Sequence, residues 1–394
     1  MQLTRSFAEF LASEKAGGAL LAACTVVALA IANSAVGPAY LAFWQMVVAG
    51  LSIEHWVNDG LMAVFFLFVG LELERELYNG ELSQPRKALL PILAALGGVA
   101  APALIHYAFN AGTPAQVGIG IPMATDIAFA LGALALLGDR VPLALKVFLT
   151  ALAVMDDLVA IVVIALFYTT SFSAAYLAGA LAVFAVLLAL NLRWRVMVLA
   201  PYLVGGALMW YLMLRSGVHA TIAGVLLAFA IPFSARSDDE ASPSHRLEHR
   251  LNRPVAFVVL PVFALANTGV VLGGAWAEAL FEPASLGIIA GLVLGKPLGI
   301  VLVTLLAVRL GLCAMPEDTT RAHILGAGLL AGIGFTMSIF IAQLAFAGDA
   351  AAISAAKLAI LAASCLAGAL GIAWLRGIPR PTPPLPPSAV SPPL

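Results

Sequence analysis

The chain has 394 residues, of which 62% are hydrophobic and 10% charged, and its mean hydropathy is +1.03. A soluble domain carries about 25% charged residues, so most of this surface is not made to meet water, and no polar segment is long enough to hide a soluble domain. The formal net charge of −1, from 20 basic and 21 acidic side chains, gives no hint of a nucleic-acid partner. Cys24, Cys313 and Cys365 are too scattered for a disulfide framework or a metal cluster, and no cofactor is expected.

A membrane-spanning helix needs roughly 20 mainly apolar residues. Twelve such spans are predicted: 16–32, 57–77, 88–109, 117–137, 143–168, 173–191, 196–213, 217–232, 252–271, 284–307, 322–346 and 353–375. The fold class is therefore an all-α membrane protein, with residues 1–376 as one transmembrane domain. Arg5 and Lys15 precede the first apolar run, which loosely resembles a signal peptide. Its length and the hydrophobic segments behind it mark it as a retained first span. The stretch GIPRPTPPLPPSAVSPPL, residues 377–394, cannot form a helix and is expected to be a disordered cytoplasmic tail. If both ends lie on one side, seventeen basic residues fall there, Arg215 and Lys357 fall opposite, and Lys296 sits within a span. Positive-inside then places both termini in the cytoplasm.

Ionisable residues inside the spans carry the functional signal, because a charge at membrane depth is costly. In span 4, GIGIPMATDIAFALG places Thr125 and Asp126 just after Pro122. Proline removes a backbone donor, so these two residues can stand at an interruption, which is tolerated only inside protein or beside a wet cavity. In span 5, ALAVMDDLVAIVVIALF holds Asp156 and Asp157 about halfway along. Neighbouring helical residues point roughly 100° apart, so the two carboxylates need not serve one site. Such a pair can hold a proton and give it up when a cation arrives. Lys296, mid-span in AGLVLGKPLGIVLV, should either lose its proton or find a carboxylate, for which Asp126, Asp156 and Asp157 are the candidates. Span 11, GAGLLAGIGFTMSIFI, brings Gly332, Ile333 and Gly334 and the weakly polar Thr336, Met337 and Ser338 to its centre. Two interrupted spans in corresponding positions of the halves point to a transporter's midplane site, with spans 3–5 and 10–12 as inverted-topology repeats. Glu72, Glu74, Arg75 and Glu76 end span 2, where they shape an ion funnel or define the interface. Asp59 lies near the other end of that span. His219 begins span 8, and His245, Glu248, His249 and Arg250 form a polar cluster whose simplest reading is a solvated connection. An organic-anion symporter would need more polar or basic groups in its spans, and a passive cation channel would not need exchangeable protons.

The segments NDGLMAVFFLFVGLELERELYNGEL, IPMATDIAFALGALALLGDRVPLALKVFLTALAVMDDLVAIVVIALFYT, SGVHATIAGVLLAFAIP, RLEHRL, LPVFALANTGV, GLVLGKPLGI and GIGFTMSIFIAQLAF resemble the NhaA-type sodium/proton antiporters. The resemblance runs from about residue 12 to 376. It implies a twelve-helix bacterial inner-membrane transporter, not an enzyme. Such a protein is usually a homodimer that expels one sodium or lithium ion for two protons and is activated at alkaline pH. This family is itself a defining case of the inverted-repeat architecture. By the same resemblance Asp157 is the main ligand of the sodium or lithium ion. Asp156 is coupled to the protons and paired with Lys296, and Thr125 and Asp126 form the interrupted helix. His219, Glu248 and the neighbouring His249 belong to the pH response, with Glu72 at the cytoplasmic funnel, and Asp59 matches a carboxylate of the second helix. Three departures stand out. Asn252 replaces an expected second histidine, Glu74 replaces a basic residue, and the connection from Ala35 to Trp56 is short, leaving room for a small hairpin around Gly50.

Overall fold

A computed structural model of the protein describes residues 5–80, 83–169, 172–234, 242–274 and 276–379. Arg236 and the greater part of the proline-rich tail lie outside the described residues. With no water to satisfy backbone groups in the bilayer core, the apolar chain folds almost entirely into helices. Helix α1 is Arg5–Ala32 and α2 is Gly37–Gln45. Strands β1 (Val47–Val48) and β2 (Leu51–Ser52) follow, paired antiparallel with Val47 opposite Ser52. Their two-residue turn has Ala49 at φ 52 and Gly50 at φ 87, the double left-handed backbone that matches strand twist in tight hairpins. The small hairpin expected around Gly50 is present.

Helix α3 spans Ile53–Tyr78 and opens with a wide π-helical turn at Trp56–Leu61. Next come α4 (Pro85–Asn110), the tight 3₁₀ helix α5 (Pro114–Met123), α6 (Ile127–Leu136), α7 (Leu143–Phe167) and α8 (Ala174–Leu192). Then follow α9 (Ala200–Ser216), α10 (Ile222–Ala230), and α11 (Pro243–Pro254), which continues through the wide turn Val255–Val259 into α12 (Leu260–Asn267). The last are α13 (Pro283–Arg309), α14 (Arg321–Ala331), α15 (Phe335–Ala345) and α16 (Ala350–Gly377). Among the described residues seven helices are long and apolar enough to cross a membrane. There are nine when the bent pairs α5–α6 and α14–α15 each count as one span. Both interruptions expected from the sequence are therefore real. The stretches 196–213, 217–232 and 252–271 correspond to α9, α10 and α12 with its flanks, and α10 has only 9 helical residues.

Backbone contact between α4 and α13 positions the centre of the molecule. A Cβ on Gly299 would stand 2.0 Å from the Gly97 carbonyl oxygen, and one on Gly97 2.4 Å from the Gly299 carbonyl oxygen. Lipid gives helices no hydrophobic reason to associate, so close approach at small residues supplies the packing. This contact, one turn from Lys296, sets the depth and direction of the lysine. Gly299→Val is expected to cost at least about 1–3 kcal/mol through overpacking. It should show as a lowered thermal midpoint in detergent, and a parent-like midpoint would disprove the close contact.

Candidate functional site

The two broken helices cross at their gaps. Pro122 and the glycines before it loosen α5, and Gly332 and Gly334 bracket the gap between α14 and α15. The halves bend by 43° in the first pair and 48° in the second. The Asp126 amide donates to the Ile333 carbonyl at 2.7 Å, joining one gap to the other.

Each gap leaves helix ends without backbone partners, and the side chains answer by charge. The Asp126 carboxylate caps α6 by accepting from the Phe129 amide at 3.0 Å. Its other oxygen accepts from the Thr336 amide at 3.0 Å and from the Thr336 hydroxyl, in the first turn of α15. One negative charge thus serves two helix N-termini, both partly positive. At the opposite poles, Lys296 Nζ donates to the Met123 carbonyl that ends α5. Thr125 Oγ1 lies 3.0 Å from the Ala331 carbonyl that ends α14. The lysine partner left open by the sequence is Asp156, whose Oδ2 is 2.8 Å from Lys296 Nζ and 2.7 Å from Thr125 Oγ1. Thr125, Asp156, Asp157 and Lys296 are 0% exposed and Asp126 is 1% exposed, so the whole arrangement lies within protein.

Asp157 differs from its neighbours. Neither of its carboxylate oxygens has a hydrogen-bond partner, and Asp156 Oδ1 is also unpartnered. A bare buried carboxylate is costly. A proton or a positive ion at the carboxylate would relieve that cost.

A narrow cavity of about 40 Å³, room for a few water molecules, leads toward this centre. It is bounded by Glu72 and Asn252 at one end and by Asp126 and Thr336 at the other, with Phe65, Phe68 and Val255 along its walls. Asp157 does not line it. Beside Glu72, Arg75 gathers three carboxylates: Nε reaches Glu248 Oε1 at 2.8 Å, and the terminal nitrogens stand 3.1 Å from Glu76 and 3.8 Å from Glu72. His245 Nδ1 is 3.9 Å from Glu248 Oε2. Glu74, where a basic residue is familiar, accepts from the Ser244 hydroxyl at 2.9 Å and so ties α3 to α11.

The residues grouped in the sequence by pH response are not grouped in space. Glu72 and Glu248 meet through Arg75, while His249 is exposed on α11. His219 sits beyond α9, with Nε2 2.9 Å from the Tyr168 carbonyl at the end of α7. Asp59 holds His55 at 2.8 Å, away from the crossing. Thr336 has a larger part than its weak polarity suggested, since both its backbone and its hydroxyl bind Asp126. A threonine in the first turn after a glycine-flanked gap was the available signal. Ser338 and Ser364 also brace α15, donating to the Ile121 carbonyl at 2.7 Å and accepting from the Phe335 amide at 3.1 Å.

Over residues 8–375 the chain matches the family described as Na+/H+ antiporter 1. The Na+/H+ antiporter NhaA of Dechloromonas aromatica (strain RCB) is 68% identical over 374 residues, 95% of this chain and 96% of that one. The protein of the same name from Cytophaga hutchinsonii is 56% identical over 376 residues, again 95% and 96% of the two chains. The sodium proton antiporter MjNhaP1 from Methanocaldococcus jannaschii, solved at pH 8, aligns with a TM-score of 0.54 over 94% of this chain and 97% of its own. At 12% identity that likeness speaks to the fold alone.

Proposed function

The chain belongs to the NhaA-type Na+/H+ antiporter family, and from this we infer that it exports one sodium or lithium ion in exchange for two protons by alternating access. Membership sets aside the organic-anion symporter and the passive channel. The observation that carries the reading is Asp157, a fully buried carboxylate with both oxygens unpartnered, beside the crossing of two broken helices.

Proton and cation compete for the same charge. When Asp157 is deprotonated, a partly dehydrated cation is drawn to it, and Asp156 Oδ1 and nearby backbone oxygens can add to the shell. The protein then turns the site to the other face, where protons displace the cation and the loaded site returns. Cation and protons never ride together, so no ATP is required. Asp156, held by Lys296 and Thr125, couples to the proton count. Asp126 keeps the two helix N-termini compensated whether or not the site is charged.

Twelve spans in inverted repeats, with both termini cytoplasmic in a bacterial inner membrane, remain the topology that best fits the basic-residue bias. The exposed hairpin at Val47 and Val48 (71% and 52% exposed) is the surface through which two copies would associate as a homodimer. Glu72 and Glu248, bridged by Arg75, lie where a pH-responsive entrance would be, with His219 and His249 as outlying contributors.

Everted membrane vesicles with an imposed acid-inside gradient test the function. Sodium or lithium added outside should dissipate the gradient, with little response to potassium or choline. An equal potassium response defeats the selectivity, and no response to any cation at neutral and alkaline pH defeats antiport. Glu248→Gln should displace the activity–pH profile and keep exchange at its new optimum. An unmoved profile removes that residue from regulation.

A further inference from the structure

The helices that line the cavity carry a second polar cluster at their far ends. Helix α3 has Glu72 near one end and Asn58 near the other, separated by about 20 Å at 1.5 Å per residue. On the α11–α12 stretch Asn252 and the terminal Asn267 are likewise separated by about 22 Å at the same rise. Between these ends lies an apolar layer of Phe66, Phe263 and Phe340, all buried, with ring centroids 5.7 Å apart for Phe66–Phe340 and 6.5 Å for Phe263–Phe340. Beyond it the amides close on one another. Asn267 Nδ2 donates to Asn58 Oδ1 at 2.7 Å, and Gln343 in the last turn of α15 donates to Asn267 Oδ1. Gln343 Nε2 is also 3.3 Å from Glu54 Oε1.

We propose that Gln343, closing on Asn267 and Glu54 while Asn58 holds Asn267 in place, forms the latch of the gate opposite the cavity, a hydrogen-bonded closure whose Gln343 contacts part whenever the ion site opens to that face. The proposal rests on the antiport reading above. Within this cluster, among the described residues, the bonds of Gln343 are the ones that join a broken helix to the unbroken α3 and to α12; the Asn58–Asn267 pair stays within α3 and α12. Alternating access requires one set of helices to rock against the other around the site. The contact that must then yield is the one on the closed side. Its chemistry suits repeated opening, because the amide–amide bond to Asn267 is individually weak, the contact with Glu54 is long at 3.3 Å, and water replaces both when they part. The closed state is not perfectly satisfied either, since Gln343 Oε1 is buried with no hydrogen-bond partner.

The test uses the full-length protein with Cys24, Cys313 and Cys365 replaced by serine, in proteoliposomes, with Asn267→Cys and Gln343→Cys introduced together. Sodium/proton exchange is measured before bridging with a short, reducible bis-thiol reagent, after bridging and after reduction. Exchange before bridging tests antiport itself, so failure of that reading is seen separately. Bridging should bring exchange to the level of empty liposomes and reduction should restore it. The pair Asn58→Cys with Asn267→Cys, bridged within the lining set, should leave exchange running. Undiminished exchange with the first pair fully bridged, or equal inhibition by the second, overturns the latch. Gln343→Ala offers a second reading should the double variant fail to assemble. It should increase the reactivity of a thiol at Asn267→Cys toward a small membrane-impermeant reagent, and unchanged reactivity overturns the proposal.

Discussion

Asp157→Asn is expected to abolish sodium/proton exchange in a protein that still inserts and folds. The amide keeps the size of the side chain and removes the charge for which, in the proposed mechanism, cation and proton compete. No hydrogen bond seen in the structure is lost, because neither Asp157 oxygen makes one. A neutral amide also costs a membrane-buried helix less than a carboxylate, so stability should hold or rise. Isothermal titration of sodium or lithium into the purified variant at alkaline pH is the decisive measurement. Affinity within about threefold of the parent, roughly 0.7 kcal/mol, would remove Asp157 as the main ligand and shift the site toward Asp156 or Asp126.

The second large effect concerns stability. Lys296 and Asp156 are both 0% exposed and 2.8 Å apart. Lys296→Met leaves the Asp156 charge buried opposite a thioether and strips the Met123 carbonyl of its donor. Breaking one side of such a pair costs about 3–5 kcal/mol. Removing both charges, in Asp156→Asn with Lys296→Met, should recover much of that loss, since replacing a whole buried pair is often neutral or better. Thermal midpoints of the parent, both single variants and the double in the same detergent give the coupling. Additive losses would mean that the two residues act independently and that the ion pair does not hold the crossing together.

Much of this arrangement was legible from composition. Hydropathy placed the seven long apolar helices and the two bent ones, and Pro122 with Gly332 and Gly334 marked the two gaps, because a missing donor or a missing Cβ makes a helix easy to break in any surroundings. The buried charges were legible for a thermodynamic reason: apolar spans do not keep Asp126, Asp156, Asp157 and Lys296 without use. Pairing was not legible. Asp156 and Asp157 are adjacent in the chain yet face different surroundings, and only the reach of Lys296 from α13 toward α7 decides which one meets the lysine. The double service of Asp126 was equally hidden, because it depends on α15 beginning beside α6, 210 positions away from it in the Asp126–Thr336 contact. The short α10 shows the limit from the other side. Its sequence is apolar throughout, but the turns around Thr221 and Ile231 shorten the helix to less than an apolar run suggests.

Thr125 can spend its hydrogen only once. A hydroxyl has a single proton to donate, and here two acceptors stand within reach, Asp156 Oδ2 at 2.7 Å and the Ala331 carbonyl at 3.0 Å. While Asp156 is an anion it outbids the carbonyl, since bonds to charged acceptors are the stronger. Once Asp156 takes up a proton that advantage is gone, and the hydroxyl is free to turn to the end of α14. A rotation about one side-chain bond therefore writes the charge of a carboxylate on α7 onto a helix end on the other broken span, with no backbone displacement needed to carry the message.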